Sequence, residues 1–372
     1  MPAYQIRPFD ARSVPEIGQF LVRSLQLLSN ATEGAESLAQ PTAPAGDYRW
    51  LLDEDNPERQ EEIPAGEVIR SDQGEIVGMI GYHPIAFRLG DRRLLALGAH
   101  NFYTDPSARM QGFILFRKYL NNPKADFCFS TTCNGNSGPL WTKCGGARIA
   151  GSDAEYLLVL RHGPILQELA LRKGLPGVAA GSIRLAGPLA DLWNTPRAGR
   201  NPLKLERSED WDRLAATAEQ NRDPARLTPA RSPAVLRVKY EAVTRNAVAS
   251  GSLNGVHRFN TPNGREGWLS LAERPRGRMG RIRCLHLLDA VRPREGVEFP
   301  DLLRAIIDLA GSRADLLSIR NGAAWGLQPR MLGLRKRTIP DPEGFLFSRA
   351  NSGLPAPDEL ARIGDFPQAF AV

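Results

Sequence analysis

The sequence predicts a mixed α/β protein, α+β in arrangement, built as two tandem mixed-sheet units flanked by helices. Three observations carry this. A long strand at 93–103 is matched by another at 281–291. A buried apolar strand at 125–130, followed by Asn134-Gly135, is matched by 314–319, followed by Asn321-Gly322. Tyr48-Arg49-Trp50-Leu51-Leu52 is echoed by Leu236-Arg237-Val238-Lys239-Tyr240. Such self-similarity means one supersecondary unit used twice. The 372 residues suit two domains. The expected divisions are 1–162, a Gly- and Pro-rich linker at 163–200, a second unit at 201–352, and a loosely ordered tail at 353–372.

Each element follows in order. Residues 4–9 read as a strand, and 14–28 as an amphipathic helix with Ile17, Phe20, Leu21, Leu25 and Leu28 on one face. Residues 30–46 read as a loop. Strands at 67–70 and 75–87 meet at Asp72-Gln73-Gly74, and Leu89-Gly90-Asp91 turns the chain into the strand 93–103. Asp105-Pro106 ends that strand and 110–120 reads as a helix. After 125–130 comes a short helix at 138–143, stopped by Gly145-Gly146, and 156–160 closes the first unit. The linker holds a helical piece at 165–172. The second unit starts near 203–206, with a helix at 210–218, strands at 256–259, 267–272 and 281–291, a main helix at 301–310 and a last strand at 345–347.

At 42% hydrophobic and 24% charged, the composition is that of a soluble globular protein. No run approaches the roughly 18 apolar residues of a membrane-spanning helix. The N-terminus enters a strand pattern without a signal-peptide core. Cys128, Cys133, Cys144 and Cys284 lack metal-ligand spacing, so reduced, packed thiols, no metal and a cytoplasmic location are expected. A net charge of +7 calls for an anionic partner: a cofactor phosphate, a nucleotide-sugar or an anionic membrane face. It is not gathered into one basic, aromatic-interleaved module, so no nucleic-acid partner is expected.

The chemistry is concentrated at 105–115, between a strand and a helix. Outward-pointing N–H groups and the helix dipole favour an anion there, and a glycine in the first turn lets a phosphate approach the backbone. Pro106, then Arg109-Met110-Gln111-Gly112-Phe113-Ile114, resembles the Gln/Arg-x-x-Gly-x-Gly/Ala signature of the GNAT acyltransferase superfamily, with Ile114 replacing the final small residue. The chain also resembles that superfamily at Asn134, Trp141, Lys143 and Gly145, where Trp141 replaces a frequent Tyr.

The resemblance implies that strands 93–103 and 125–130 splay, with the pantetheine arm of acetyl-CoA or another acyl-CoA as co-substrate between them. It implies cofactor contacts at Phe102, Tyr103, Thr104, at Arg109 to Ile114, and at Asn134, Ser137 and Trp141. A backbone amide near Tyr103 would polarise the thioester carbonyl. His100 is the candidate base, expected to titrate near neutrality, with the alternative of a histidine bonded within the sheet. His83 and Tyr103 are reserves, and Asp105 reads as a turn residue. Trp141 cannot protonate a leaving thiolate, although that thiolate can depart unaided.

The second unit reads as degenerate. Its junction carries Glu295 and Glu298 where phosphates would sit, and its expected role is to shape the acceptor cleft. His257 and His286 read as structural. Arg274, Arg276, Arg278, Arg281 and Arg283 surround a turn, either as a solvated hairpin or as a grip on an acidic acceptor. The expected activity is N-acylation of an amine. The paired layout, Tyr48-x-Trp50 and Asn56-Pro57 resemble polysaccharide-associated GNAT proteins, so an amino sugar is favoured. The alternatives are aminoacyl or fatty-acyl transfer, or a non-catalytic acyl-CoA-binding scaffold.

Overall fold

The computed structural model describes residues 4–31, 49–194, 203–277, 281–293, 295–320, 327, 331–339, 343–349 and 352–366. The first part of the chain carries strands β1 (Gln5–Pro8), β2 (Gly66–Arg70), β3 (Ile76–Leu89), β4 (Arg92–Thr104), β5 (Phe127–Cys133), β6 (Ala147–Arg148) and β7 (Ala154–Val159). Its helices are α1 (Val14–Ala31), α2 (Arg109–Leu120) and α3 (Gly138–Lys143). Three helices follow: α4 (His162–Arg172), α5 (Gly177–Arg184) and α6 (Gly187–Asn194). Next come β8 (Glu206–Arg207), α7 (Trp211–Gln220), β9 (Thr228–Pro229), α8 (Pro233–Ser250), β10 (Gly255–Asn260), β11 (Glu266–Arg276) and β12 (Ile282–Val291). The chain ends with α9 (Phe299–Ala310), β13 (Leu316–Arg320), β14 (Arg335–Thr338), β15 (Glu343–Ser348) and α10 (Pro357–Ile363).

Two sheets repeat one plan. The first runs β1-β2-β3-β4-β5-β15-β6, with β9 beside β3; the second runs β8-β10-β11-β12-β13-β7-β14. In each, all neighbours are antiparallel except one central parallel pair, β4 with β5 and β12 with β13. The repeated Ala-Asp at the start of each parallel strand now has a cause. The Asp126 carboxylate accepts the Leu95 N–H at 2.8 Å, and the Asp315 carboxylate accepts the Arg283 N–H at 2.9 Å. In both copies the aspartate also donates its own N–H to the carbonyl of that same residue at 2.8 Å, so backbone and side chain together fix the start of the strand.

The compact units are not the sequence halves. One comprises 1–153, 224–230 and 340–372; the other comprises 154–223 and 231–339. The expectation that 156–160 closes the first unit and 345–347 the second is therefore corrected. Strand β7 pairs with β13, and β15 pairs with β5, so each sheet takes its next-to-last strand from the other half of the chain. Both are short apolar strands, and apolar patterning specifies burial, not the identity of the partner.

Three further corrections follow. The expected linker is mostly helix, α4 to α6, within the second unit. The tail is ordered over 352–366: Leu360 and Phe366 are buried, and the Phe366 ring lies 5.3 Å from Phe129 and 5.8 Å from Phe87. The echo of 48–52 in 236–240 is not structural, because Arg49–Leu52 forms a 3-10 turn while 236–240 lies inside α8. Tyr48, the loop 32–46, the turn Asn321-Gly322, Arg278 and Arg294 lie outside the described residues.

In the first unit α2 covers one sheet face through Leu115, Phe116 and Tyr119, against Ile80, Tyr82, Leu97 and Cys128. Helix α1 covers part of the other face through Ile17, Phe20 and Leu21 against Val68 and Met79. In the second unit α9 does the work of α2, burying Leu302, Leu303 and Ile306 against Leu269, Leu285 and Leu317. Among the described residues, no helix is long and apolar enough to cross a membrane.

Candidate functional site

The site begins where two strands part. Strands β4 and β5 pair only at Ala96, Leu97 and Gly98, with Phe127, Cys128 and Phe129. Beyond that point β5 keeps only its pairing with β15, at Ser130 and Cys133, while β4 runs on to Thr104 beside β3. The Tyr119 hydroxyl stands at the apex, 2.7 Å from Leu97 O and 3.1 Å from Phe129 O. One phenol on α2 thus reaches both strands at the point of divergence.

A bulge follows on β4. Pairing with β3 jumps from His100↔Gly81 to Tyr103↔Met79, and Asn101 takes φ 51°. Asparagine is among the few residues that enter left-handed space without a large penalty. An extra residue in one strand leaves backbone groups out of the ladder and re-aims the side chains after it. The second unit has the same device, a register shift on β11–β12 at Ser270/Leu271. Asn101 was missed in the sequence; an asparagine near the end of an otherwise apolar strand was the available signal.

At the end of β4, Asp105 and a short turn over Pro106–Ala108 deliver the chain to α2. No side chain caps α2, so the first N–H groups of Arg109, Met110 and Gln111 meet no side-chain acceptor. Arg109 is exposed, as are Met110 (67%) and Ile114 (50%), while Gln111 and Phe113 are half-buried. Asp105 pairs with Arg23 at 3.4 Å, in keeping with its turn role. The second unit differs at this junction. Its helix α9 has a capping box in which the Glu298 side chain accepts the Asp301 N–H and Asp301 reaches back to the Glu298 N–H. Glu295 is turned to Arg265 at 3.0 Å. The second unit fills its helix start with its own carboxylate.

Other expected contacts resolve differently. Gly112 is buried against β4 and faces Thr104, so close helix–strand packing already calls for a glycine there. Phe102 packs on Phe116 (centroids 5.5 Å apart) on the α2 face, and Tyr103 packs with the α1 cluster on the other. The Asn134 Oδ1 accepts N–H bonds from Asn136 and Ser137, both at 3.0 Å, and the Ser137 Oγ accepts the Asn134 N–H at 3.0 Å; the pair is a self-contained turn. Trp141 is core: 2% exposed, edge-on to Phe116 and Tyr119 and stacked on Phe345. Asn56 ties its loop to β3 through Pro84 O at 2.9 Å.

His100 lies over Gly81, whose missing side chain makes room for the imidazole, and its ring centroid is 5.5 Å from that of His83. The expectation of titration near neutrality is corrected. Burial, and secondarily His83, push His100 down to about 3. At neutral pH it is a neutral imidazole. Tyr103 is raised by burial. Burial likewise lowers His257 and His286 to about 4 each, and the His257 Nε2 meets Leu253 O at 3.0 Å. Arg276 holds Glu155 with two bonds of 2.8 and 3.0 Å, and Arg283 holds Asp315. These arginines are therefore committed to carboxylates of their own unit. Among the described residues, no group of three metal-ligating side chains is present.

No family model matches the sequence, and no curated protein matches it. Solved structures do. A conserved Enterococcus faecalis protein of unknown function, described as a probable N-acyltransferase, superposes with a TM-score of 0.55 over 94% of this chain and 73% of its own, at 11% identity. An N-myristoyltransferase of Saccharomyces cerevisiae with bound myristoyl-CoA gives 0.52 over 99% and 85%, at 12% identity. A GCN5-related N-acetyltransferase from Anabaena variabilis gives 0.51 over 92% and 72%, at 10% identity. The chain has a GNAT-like fold with two mixed sheets, the architecture of these acyltransferase structures.

Proposed function

We propose that the first unit binds acyl-CoA and transfers its acyl group to an amine, with the acyl-pantetheine arm between β4 and β5 and the pyrophosphate at the start of α2. The observation that carries this reading is the contrast between the two copies: α2 begins uncapped beside the splay, whereas α9 is capped by Glu298. An uncapped helix start stabilises an anion through its free N–H groups and dipole. Arg109, exposed at that start, adds a charge. The bulge at Asn101 supplies backbone N–H groups for the oxyanion formed when the amine nitrogen attacks the thioester carbon. Collapse expels CoA thiolate, which needs no strong acid. His100, neutral at working pH, accepts a hydrogen bond from the attacking amine, and the amine's excess proton leaves to water.

Acetyl is the acyl group we favour. The amino-sugar acceptor rests on the sequence resemblance to polysaccharide-associated GNAT proteins. A second reading, a non-catalytic acyl-CoA-binding protein, is favoured by two observations: His100 is pushed far below neutrality and Trp141 is sealed in the core. Thiol release from acetyl-CoA and myristoyl-CoA, measured with glucosamine and a panel of primary amines, tests the transferase. Amine-dependent release confirms it. Calorimetric binding without release selects the second reading, and no binding of either thioester removes both.

A further inference from the structure

Residues 162–194, which cover most of the expected linker 163–200, carry the densest display of exposed apolar side chains among the described residues. Val178 is 86% exposed, Leu185 79%, Leu189 65%, Leu169 50% and Leu175 41%. They lie on α4, α5 and α6 and on the turns that follow α4 and α5. Isolated exposed leucines are ordinary, but a run of them within one helical segment marks a surface that meets an apolar partner.

The charges of the segment select the partner. Lys173 lies two residues before Leu175, and Arg184 immediately precedes Leu185; both are exposed. The acidic groups of the segment are occupied. Glu168 is buried and bonded to Arg172 at 3.1 Å, and Asp191 accepts from the His162 N–H at 2.6 Å and meets its ring at 2.8 Å. In the sequence Arg197 and Arg200 follow, and the whole chain is at +7. Leucine and valine beside exposed cations, here Lys173 and Arg184, is the composition of an element that lies in a bilayer interface, its apolar side chains among the acyl chains and its cations at the headgroups. A twofold copy of this chain suits the surface less, because symmetric docking would bring the same cations face to face.

We propose that the α4–α6 segment is a peripheral binding surface for anionic lipid bilayers. Cosedimentation with phosphatidylcholine vesicles, and with vesicles containing one-third phosphatidylglycerol, tests it on the full chain. The wild type sediments with the anionic vesicles only, and added salt weakens binding. Val178→Glu with Leu185→Glu abolishes binding. Lys173→Glu with Arg184→Glu weakens it by about 100-fold or more, from the usual contribution of a basic residue at an anionic surface. Because all four positions are exposed, circular dichroism melts should match the wild type. Absence of binding to anionic vesicles overturns the proposal, as does undiminished binding by either variant. Self-association in sedimentation velocity that Val178→Glu abolishes would assign the surface to a second copy instead.

Discussion

Thr104 occupies the space that a side chain on Gly112 would need: a β-carbon at Gly112 would fall 2.5 Å from Thr104 Oγ1 and 2.9 Å from its methyl carbon. The contact joins the last residue of β4 to the first turn of α2, and it sets how closely the helix start lies against the parted strand. Thr104 is β-branched and cannot swing aside freely. The glycine of the motif is thus demanded by packing.

Gly112→Ala should destabilise the protein by about 1–3 kcal/mol, the usual cost of overpacking. Adding Thr104→Ala should recover part of that loss, because the two sites share one contact. Urea denaturation of the two single variants and the double variant measures the coupling; strictly additive effects would show that the two residues do not compete for space.

CoA should bind with one equivalent per chain, at the first unit. Arg109→Glu, at an exposed position, should weaken it roughly 10–100-fold, the worth of a charge-assisted phosphate contact and its reversal. The capped start of α9 should contribute nothing. Isothermal titration decides: two equivalent sites would show that Glu298 yields its place to phosphate.

His100 should remain neutral from pH 8 down to about 4.5, since its value lies near 3. Any rise of acyl transfer with pH should then follow deprotonation of the acceptor amine, not a group at 6–7. Proton NMR of the imidazole during titration checks this directly. Gly81→Ala, whose β-carbon would sit 2.3 Å from His100 Cε1, should expel the ring toward water and raise its value toward that of free histidine. A wild-type His100 that titrates at 6–7 would show that the ring is not held over Gly81.

Acid should destabilise the fold in two steps. His257 has a folded value of about 4, below its unfolded 6.5, so the unfolded chain binds the extra proton. Its contribution is complete above pH 6.5 and is lost as pH falls through about 4. Glu155 is lowered from 4.5 to about 2 by the hydrogen bonds and charge of Arg276, which outweigh burial; its contribution is lost between those values. Tm should therefore decline from pH 6.5 downward and more steeply below 4.5. His257→Leu should lessen the upper part of the decline, to which His100 and His286, also lowered by burial, contribute the rest. A Tm that is level from pH 7 to 5 would contradict the buried, neutral histidine.

Much of the architecture was legible in the sequence because it is local. The strand at 93–103, the helix after Asp105-Pro106 and the Ala-Asp strand starts depend on period, turn chemistry and short-range hydrogen bonds. The place of the candidate site was read from the strand–helix junction and from the splay that the family resemblance implied. The ordered tail and helix α8 were less visible. Phe366 shows its worth only against Phe87 and Phe129, which are far away in sequence, and α8 has weak apolar periodicity.

The sequence by itself determined that one α/β unit occurs twice, that Arg109 begins a helix after a strand, and that the second junction is acidic. Only the tertiary structure decided that β7 and β15 cross to the other half's sheet, that Gly112 serves Thr104, that Trp141 is core and that His100 is neutral. The reason is physical. Period and turn chemistry are written in neighbouring residues, whereas strand partners, close contacts and the solvent around an imidazole are set by residues the chain brings together from far apart.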